Sequence, residues 1–116
     1  PNGIHFDIEP EGVKEMEALL ELCQQQGIRV LLVYSPEYRE IQTLTTNRAQ
    51  IFAKFDELSQ RFRASVWDYS ASPISSRKEY FYNSQHLNAD GALQFSEDFA
   101  AKLATDPGIA KFLASH

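Results

Sequence analysis

The chain has few of the features that would assign it to a special class of protein. Its 116 residues include one cysteine, Cys23, so no internal disulfide can form, and no second cysteine stands near it to suggest a metal or redox motif. The longest apolar run is short, at about residues 30–34, and predicts no membrane-spanning helix. There is no block of Lys and Arg, and the net charge is −5, which argues against nucleic acid as a partner.

What is present fits one globular α/β domain over residues 1–116. Apolar residues make up 43% of the chain and include eight Phe, five Tyr and one Trp, enough to build one core without disulfides. The acidic residues near the start suit a solvated helix face and its first turns. His5 and His116 have no ligand at metal-binding spacing, and no loop alternates oxygen ligands, so no metal or other cofactor is predicted.

The apolar spacing predicts two helices and two strands in alternation. A helix is expected over residues 10–26 with Gly27 at its end, and a second over residues 47–63 with Asn47 as its cap. Residues 28–34 are almost continuously β-branched or aliphatic and predict a strand buried on both faces, and residues 64–69 predict a shorter strand ending at Asp68. Residues 37–46 read as a long loop.

The same pattern predicts that the two strands are parallel. A helical crossover joins them, and ligands gather beyond the carboxyl ends of strands in such sheets, where Ser35 and Asp68 would lie. Ile4 to Ile8 alternate as an edge strand could, and residues 70–84 read as a surface loop anchored by aromatic rings. A last strong helix begins after Asn88, with Gly91 in its first turn and its end near residue 106.

The stretch Asn83 to Ser96 holds the strongest functional signal. His86 lies in a polar segment just before a capped amphipathic helix, as a catalytic base could. The alternative is that His86 donates a ring N–H to a backbone carbonyl and only fixes the loop. Asn83 can likewise be a turn residue, and Asp68 can cap a turn through Ser70 or Ser72.

The order of elements and this motif together resemble the C-terminal part of an SGNH/GDSL-type hydrolase. The resemblance covers roughly residues 10–104 and is closest to envelope-associated members that modify polysaccharides. It rests on a buried strand ending in Ser-Pro and on the string Tyr80-Phe81-Tyr82-Asn83-x-x-His86-Leu87-Asn88-x-x-Gly91-Ala92-x-x-Phe95-Ser96. It implies a partial three-layer α/β/α, flavodoxin-like fold with a small parallel sheet flanked by helices.

The resemblance also implies roles for three residues. His86 would be the base that accepts the proton of a nucleophilic serine, and Asn83 stands where the family has the aspartate that orients the imidazole. Asp68 is then a substitute acid. The family's nucleophile turn and oxyanion-hole residues are not recognisable, since Ser35-Pro36 lacks the flanking glycine. The chain is therefore interpreted as the C-terminal portion of a larger domain, inactive alone, with the cell envelope as the compartment that the resemblance suggests.

Three functional hypotheses follow. The chain is the His86-bearing portion of an ester hydrolase or O-acyltransferase acting on carbohydrate or lipid esters, or it is a catalytically inactive module of the same type that binds a glycan or protein. The third is an unrelated α/β interaction domain with a structural His86. A sheet of two strands leaves an edge unpaired, so a homo-oligomer through that edge is also expected.

Overall fold

The computed structural model describes residues 3–115 and shows an α/β chain with a small parallel sheet. Five helices and four strands, with two short 3₁₀ turns at Pro73–Ser76 and Lys78–Tyr80, make up the described part of the chain. In chain order they are α1 (Pro10–Gln25), β1 (Leu31–Tyr34), α2 (Arg39–Leu44), α3 (Arg48–Phe62), β2 (Ser65–Asp68), β3 (Phe81–Asn83), β4 (His86–Leu87), α4 (Ala89–Thr105) and α5 (Pro107–Ala114).

The parallel pairing predicted from the sequence is confirmed. β1 and β2 run in the same direction, with Leu31 opposite Ser65 and Tyr34 opposite Asp68. The ladder begins with the bond from Ser65 N to Val30 O, at 3.1 Å. α2 and α3 form the crossover between the strands, so the carboxyl ends of both strands lie at one edge of the sheet.

Helices cover both faces of this sheet. Tyr34 packs against Phe52 of α3, with ring centroids 4.6 Å apart, while Trp67 packs against Phe99 of α4 at 5.7 Å. Tyr34 stands opposite Asp68, and successive side chains point to opposite faces, so Tyr34 and Trp67 lie on different faces. α3 and α4 are therefore on opposite sides of the strands.

The helix boundaries follow local signals. Gly27 has a positive φ of 70°, which terminates α1 as predicted. The side chain of Asn88 caps α4 by accepting a hydrogen bond from Gly91 N at 2.9 Å. A Cβ atom on Gly91 would stand 2.1 Å from the carbonyl oxygen of Tyr80, so only glycine allows α4 this close to the preceding turn. The predictions for these two helices are confirmed.

Several predictions for the segments between them are wrong. Residues 37–46 are not a long loop, because α2 occupies Arg39–Leu44 and buries Ile41 against the rest of the chain. Residues 70–84 are not simply a surface loop, since Ser70, Ile74 and Ser75 are buried and the segment ends in β3. His86 itself lies in β4 of a β-hairpin rather than in an irregular loop.

Asn47 also differs from its prediction. Its side chain does not cap α3. Instead it is buried, accepts a hydrogen bond from Phe6 N at 3.0 Å and donates one to Phe6 O at 2.7 Å. The first residues form an extended arm with one isolated bridge, from Ile4 to Thr45, and not the predicted edge strand. Asn47 fixes this arm by pairing with its backbone.

The strand predicted over residues 28–34 is shorter and less buried than expected. β1 begins at Leu31, Ile28 is 57% exposed and Val33 is 38% exposed. Leu31 and Val33 direct their backbone groups away from β2, because even-numbered residues of β1 form the ladder. Within residues 3–115 no other strand pairs with this outer edge. In a sheet of two strands each strand is an edge, so the side chains of β1 are less covered than those of a central strand would be.

The chain also exposes more surface than is usual for its size. Its accessible surface is 7983 Å², whereas ~6,400 Å² is typical of a folded monomer of this mass. The radius of gyration is 15.9 Å, against ~13 Å for a compact domain of this length. Within residues 3–115 the buried apolar side chains of the core are few, namely Leu20, Ile41, Leu58, Trp67 and Ile74 together with the fully buried Pro36. Among the described residues, no helix is long and apolar enough to span a membrane.

Candidate functional site

The hairpin β3–β4 places His86 beside Asn83. The side-chain oxygen of Asn83 lies 2.9 Å from Nδ1 of the imidazole and also accepts hydrogen bonds from the backbone N–H groups of Gln85 and His86, each at 3.0 Å. Three interactions therefore converge on one oxygen at the hairpin turn. Asn83 is both a turn residue and the partner that orients the His86 ring.

This geometry fixes the tautomer of His86 in its neutral form. Two backbone donors identify the Asn83 atom as the amide oxygen, which can only accept, so Nδ1 of the imidazole carries the proton. Nε2 then has the free lone pair that a general base needs. Asn83 is neutral, however, and cannot stabilise an imidazolium as an aspartate would.

The hairpin lies against the carboxyl end of β1. Tyr38 in the loop after β1 donates its backbone N–H to the carbonyl of Ser84 at 3.0 Å, and the Tyr38 and Phe81 rings lie 5.5 Å apart. On the other side, Asn88 donates from its side chain to the carbonyl of Glu79 at 2.7 Å while its oxygen caps α4. His86 is thus held between two anchored segments, and its side chain is exposed.

Asp68 and Ser35 occupy the predicted edge of the sheet but do not join His86. Asp68 ends β2 and accepts a hydrogen bond from the backbone N–H of Ser70 at 2.8 Å, so it caps the following turn. No hydrogen bond or ion pair links Asp68 to His86 within residues 3–115. Ser35 is exposed after β1, and no Ser, Thr or Cys side chain of the described region hydrogen-bonds to the imidazole.

A second polar cluster, which the sequence did not predict, lies at the same edge. Tyr34 donates its hydroxyl to the carboxylate of Glu37 at 2.5 Å. Arg48, the first residue of α3, donates to the hydroxyl of buried Ser70 and lies 4.3 Å over the Phe52 ring. Burial raises the pKa of Tyr34 above its usual range, and the hydrogen bond and charge of Glu37 raise it further.

These groups line a cavity of about 180 Å³ at the carboxyl end of β1. Phe6 and Phe52 belong to its apolar wall. Its polar lining comes from Tyr34, Glu37, Thr45, Arg48 and Gln85, the last being the residue before His86. The spacing Tyr34-x-x-Glu37 just beyond a strand end was the only sequence signal for it. Arg48 belongs to a different element, so its part in the site depends on the fold.

The described residues contain no group of three or more His, Cys, Asp or Glu side chains placed to hold a metal ion. Comparison with known proteins finds no matching family model, no matching curated protein and no matching solved structure.

Proposed function

We propose that this chain is the His86-bearing, C-terminal portion of an SGNH-like ester hydrolase or O-acyltransferase that acts on carbohydrate or lipid esters. The observation that carries the proposal is the 2.9 Å contact from Asn83 Oδ1 to His86 Nδ1, which leaves Nε2 as the base. Helices on both faces of a parallel sheet are consistent with part of a three-layer, flavodoxin-like domain. The chain alone is inactive in this proposal, because no serine hydroxyl of residues 3–115 hydrogen-bonds to His86 and the nucleophile comes from outside it.

The extra surface of the chain supports an incomplete domain. The excess of surface over a typical monomer is about 1,600 Å², which is about twice the ~800 Å² that each partner buries in a standard interface. The outward backbone groups of Leu31 and Val33 provide an edge to which a further strand can be added. In the longer protein that strand comes from the missing part of the sheet.

The test is the esterase activity of a longer protein that contains these residues, measured with a small acyl ester. His86→Ala is expected to reduce kcat by about a thousandfold, because it removes the base, while Ser84→Ala, which keeps the backbone carbonyl that Tyr38 contacts, keeps the rate within a few-fold. A serine-directed phosphonate should label one serine outside residues 3–115. Full activity of the His86→Ala variant would disprove the catalytic role.

A catalytically inactive, SGNH-like binding module is the second candidate, and the neutral Asn83 favours it. This module would bind a glycan or protein and would not react with the phosphonate. Asn83→Asp distinguishes the two proposals, since an aspartate can stabilise the imidazolium and should raise the rate of an active enzyme. In a binding module, Asn83→Asp should produce no esterase activity.

When the chain is alone, we infer that two copies associate along β1. Sedimentation velocity should show a dimer, and Val33→Pro should give a monomer, because proline removes an outward N–H and leaves the β1–β2 ladder intact. Leu32→Pro is the matched control, since it removes an inward N–H and disrupts the sheet. A dimer that persists in folded Val33→Pro would place the interface elsewhere.

A further inference from the structure

We propose that the cavity at the carboxyl end of β1 binds a single sugar ring between Glu37 and Arg48. The site is distinct from the imidazole of His86, although Gln85 lies in its wall. The inference rests on the proposed function only for the choice of a sugar as ligand. The site itself rests on two half-buried charges that face one cavity without pairing.

The first charge is the guanidinium of Arg48. It forms no ion pair within residues 3–115, and its hydrogen-bond acceptor is the neutral hydroxyl of Ser70. Nη2 makes that bond, and Nε is buried and beyond the reach of a ligand. Nη1 has no acceptor among residues 3–115 and is not buried, so an acceptor oxygen brought into the cavity can bind to it.

The second charge is the carboxylate of Glu37. Its Oε1 accepts from the Tyr34 hydroxyl at 2.5 Å, and no cation of the described chain pairs with it. The second oxygen, Oε2, has no hydrogen-bond donor among residues 3–115. A carboxylate can accept about four hydrogen bonds, so Glu37 retains capacity for donors from a ligand.

Charge of both signs in the cavity disfavours a simple anion and a simple cation as the ligand. An anion bound at Arg48 would be repelled by Glu37, and a cation bound at Glu37 would be repelled by Arg48. A neutral ligand with adjacent hydroxyls can donate to Glu37 and accept from Arg48 at once. The side-chain amide of Gln85 can donate a hydrogen bond to such a ligand and accept one from it.

Size narrows the class further. The cavity of about 180 Å³ equals the volume of ~six liquid water molecules, which is room for one sugar ring and not for an oligosaccharide. Phe6, Ile51 and Phe52 give the cavity an apolar wall against which the C–H groups of a ring can pack. One ring of a longer glycan would occupy it, with the remainder outside.

The experiment is an NMR titration of the ¹⁵N-labelled chain with the methyl glycosides of glucose, galactose and mannose. At least one glycoside should shift the side-chain amide of Gln85 and the backbone amides of Glu37 and Arg48, with a Kd in the range of ~1–50 mM. Glu37→Gln and Arg48→Lys should each weaken binding by about tenfold. Glu40→Gln, which changes an exposed acid of α2 outside the cavity, is the matched control and should bind like the unmodified chain.

Three results would overturn the proposal. They are no shift with any of the glycosides at ~100 mM, unchanged affinity in a folded Glu37→Gln variant, and shifts of the same amides by sodium acetate or phosphate but not by the glycosides. His86→Ala separates this site from catalysis. It should bind the glycoside as well as the unmodified chain does, even if no esterase activity is ever found.

Discussion

Gly91 passes so close to the carbonyl oxygen of Tyr80 that a Cβ atom on Gly91 would stand 2.1 Å from that oxygen. The carbonyl oxygen of Tyr80 belongs to the backbone, so no side-chain rotation can move it aside. Gly91→Ala should therefore lower the free energy of unfolding by about 3 kcal/mol, as measured by urea denaturation. The matched control is Gly12→Ala in α1, where the nearest atom would be 3.8 Å away, and it should raise stability by ~0.5–1 kcal/mol. Equal effects of the two changes would mean that α4 can move away from Tyr80.

The oxygen of Asn83 accepts from two backbone N–H groups and the imidazole. Asn83→Ala removes all three bonds at an exposed turn, and the expected loss is about 1–2 kcal/mol of unfolding free energy. Asn83→Asp keeps the acceptor and should stay within ~0.5 kcal/mol of the unmodified chain. Ser84→Ala is the control, since Ser84 accepts the hydrogen bond from Tyr38 with its backbone carbonyl and not with its hydroxyl. If Asn83→Ala is as stable as Ser84→Ala, the bonds to Asn83 do not hold the hairpin.

Buried Asn47 joins the N-terminal arm to the start of α3. Asn47→Ala leaves the arm without the two side-chain bonds at Phe6, and the expected cost is about 2–3 kcal/mol in urea denaturation. Amide exchange of Phe6 should become much faster. Gln60→Ala, an exposed change later in the same helix, should alter neither quantity. Unchanged exchange at Phe6 would contradict the pairing.

The raised pKa of Tyr34 makes stability depend on alkaline pH. The folded chain keeps the phenol proton at a pH where the unfolded chain has begun to lose it, near pH ~10. The contribution of Tyr34 is therefore complete below that pH and is lost as the pH rises above it. Tyr34→Phe should make the free energy of unfolding fall less steeply from pH 9 upward. The comparison is a set of urea titrations across that range.

Ultraviolet titration of the phenols provides the matching control. Burial also raises the pKa of Tyr69, so Tyr34 and Tyr69 should both ionise at a higher pH than a phenol of the unfolded chain. Tyr34→Phe and Tyr69→Phe should each remove a late-ionising phenol. Loss of an early phenol from Tyr34→Phe would show that the Tyr34 hydroxyl is not protected.

The sequence was sufficient where the signals were local. α1 and α4 have apolar stripes and terminal residues that define them, and the Asn83–His86 contact joins residues three apart. The parallel pair of strands also followed from the order of elements. These parts depend on periodicity and short-range hydrogen bonds, which a sequence displays directly.

The parts that could not be predicted depend on contacts between distant residues. Asn47 looked like a helix cap, but its partners belong to Phe6, and nothing near Asn47 indicates them. The cavity of Glu37 and Arg48 exists because α3 returns to the carboxyl end of β1. The short α2 was missed because its few apolar residues show too little periodicity over six positions.

The bonds between Phe6 and Asn47 also constrain the order in which the chain can assemble. The arm leaves the ribosome before α1, yet the residue that binds it is 41 positions later, at the start of α3. During synthesis the arm therefore has no partner until α1, β1 and α2 have all emerged. Protection of the Phe6 amide on stalled nascent chains would mark the moment at which the first and third helices come together.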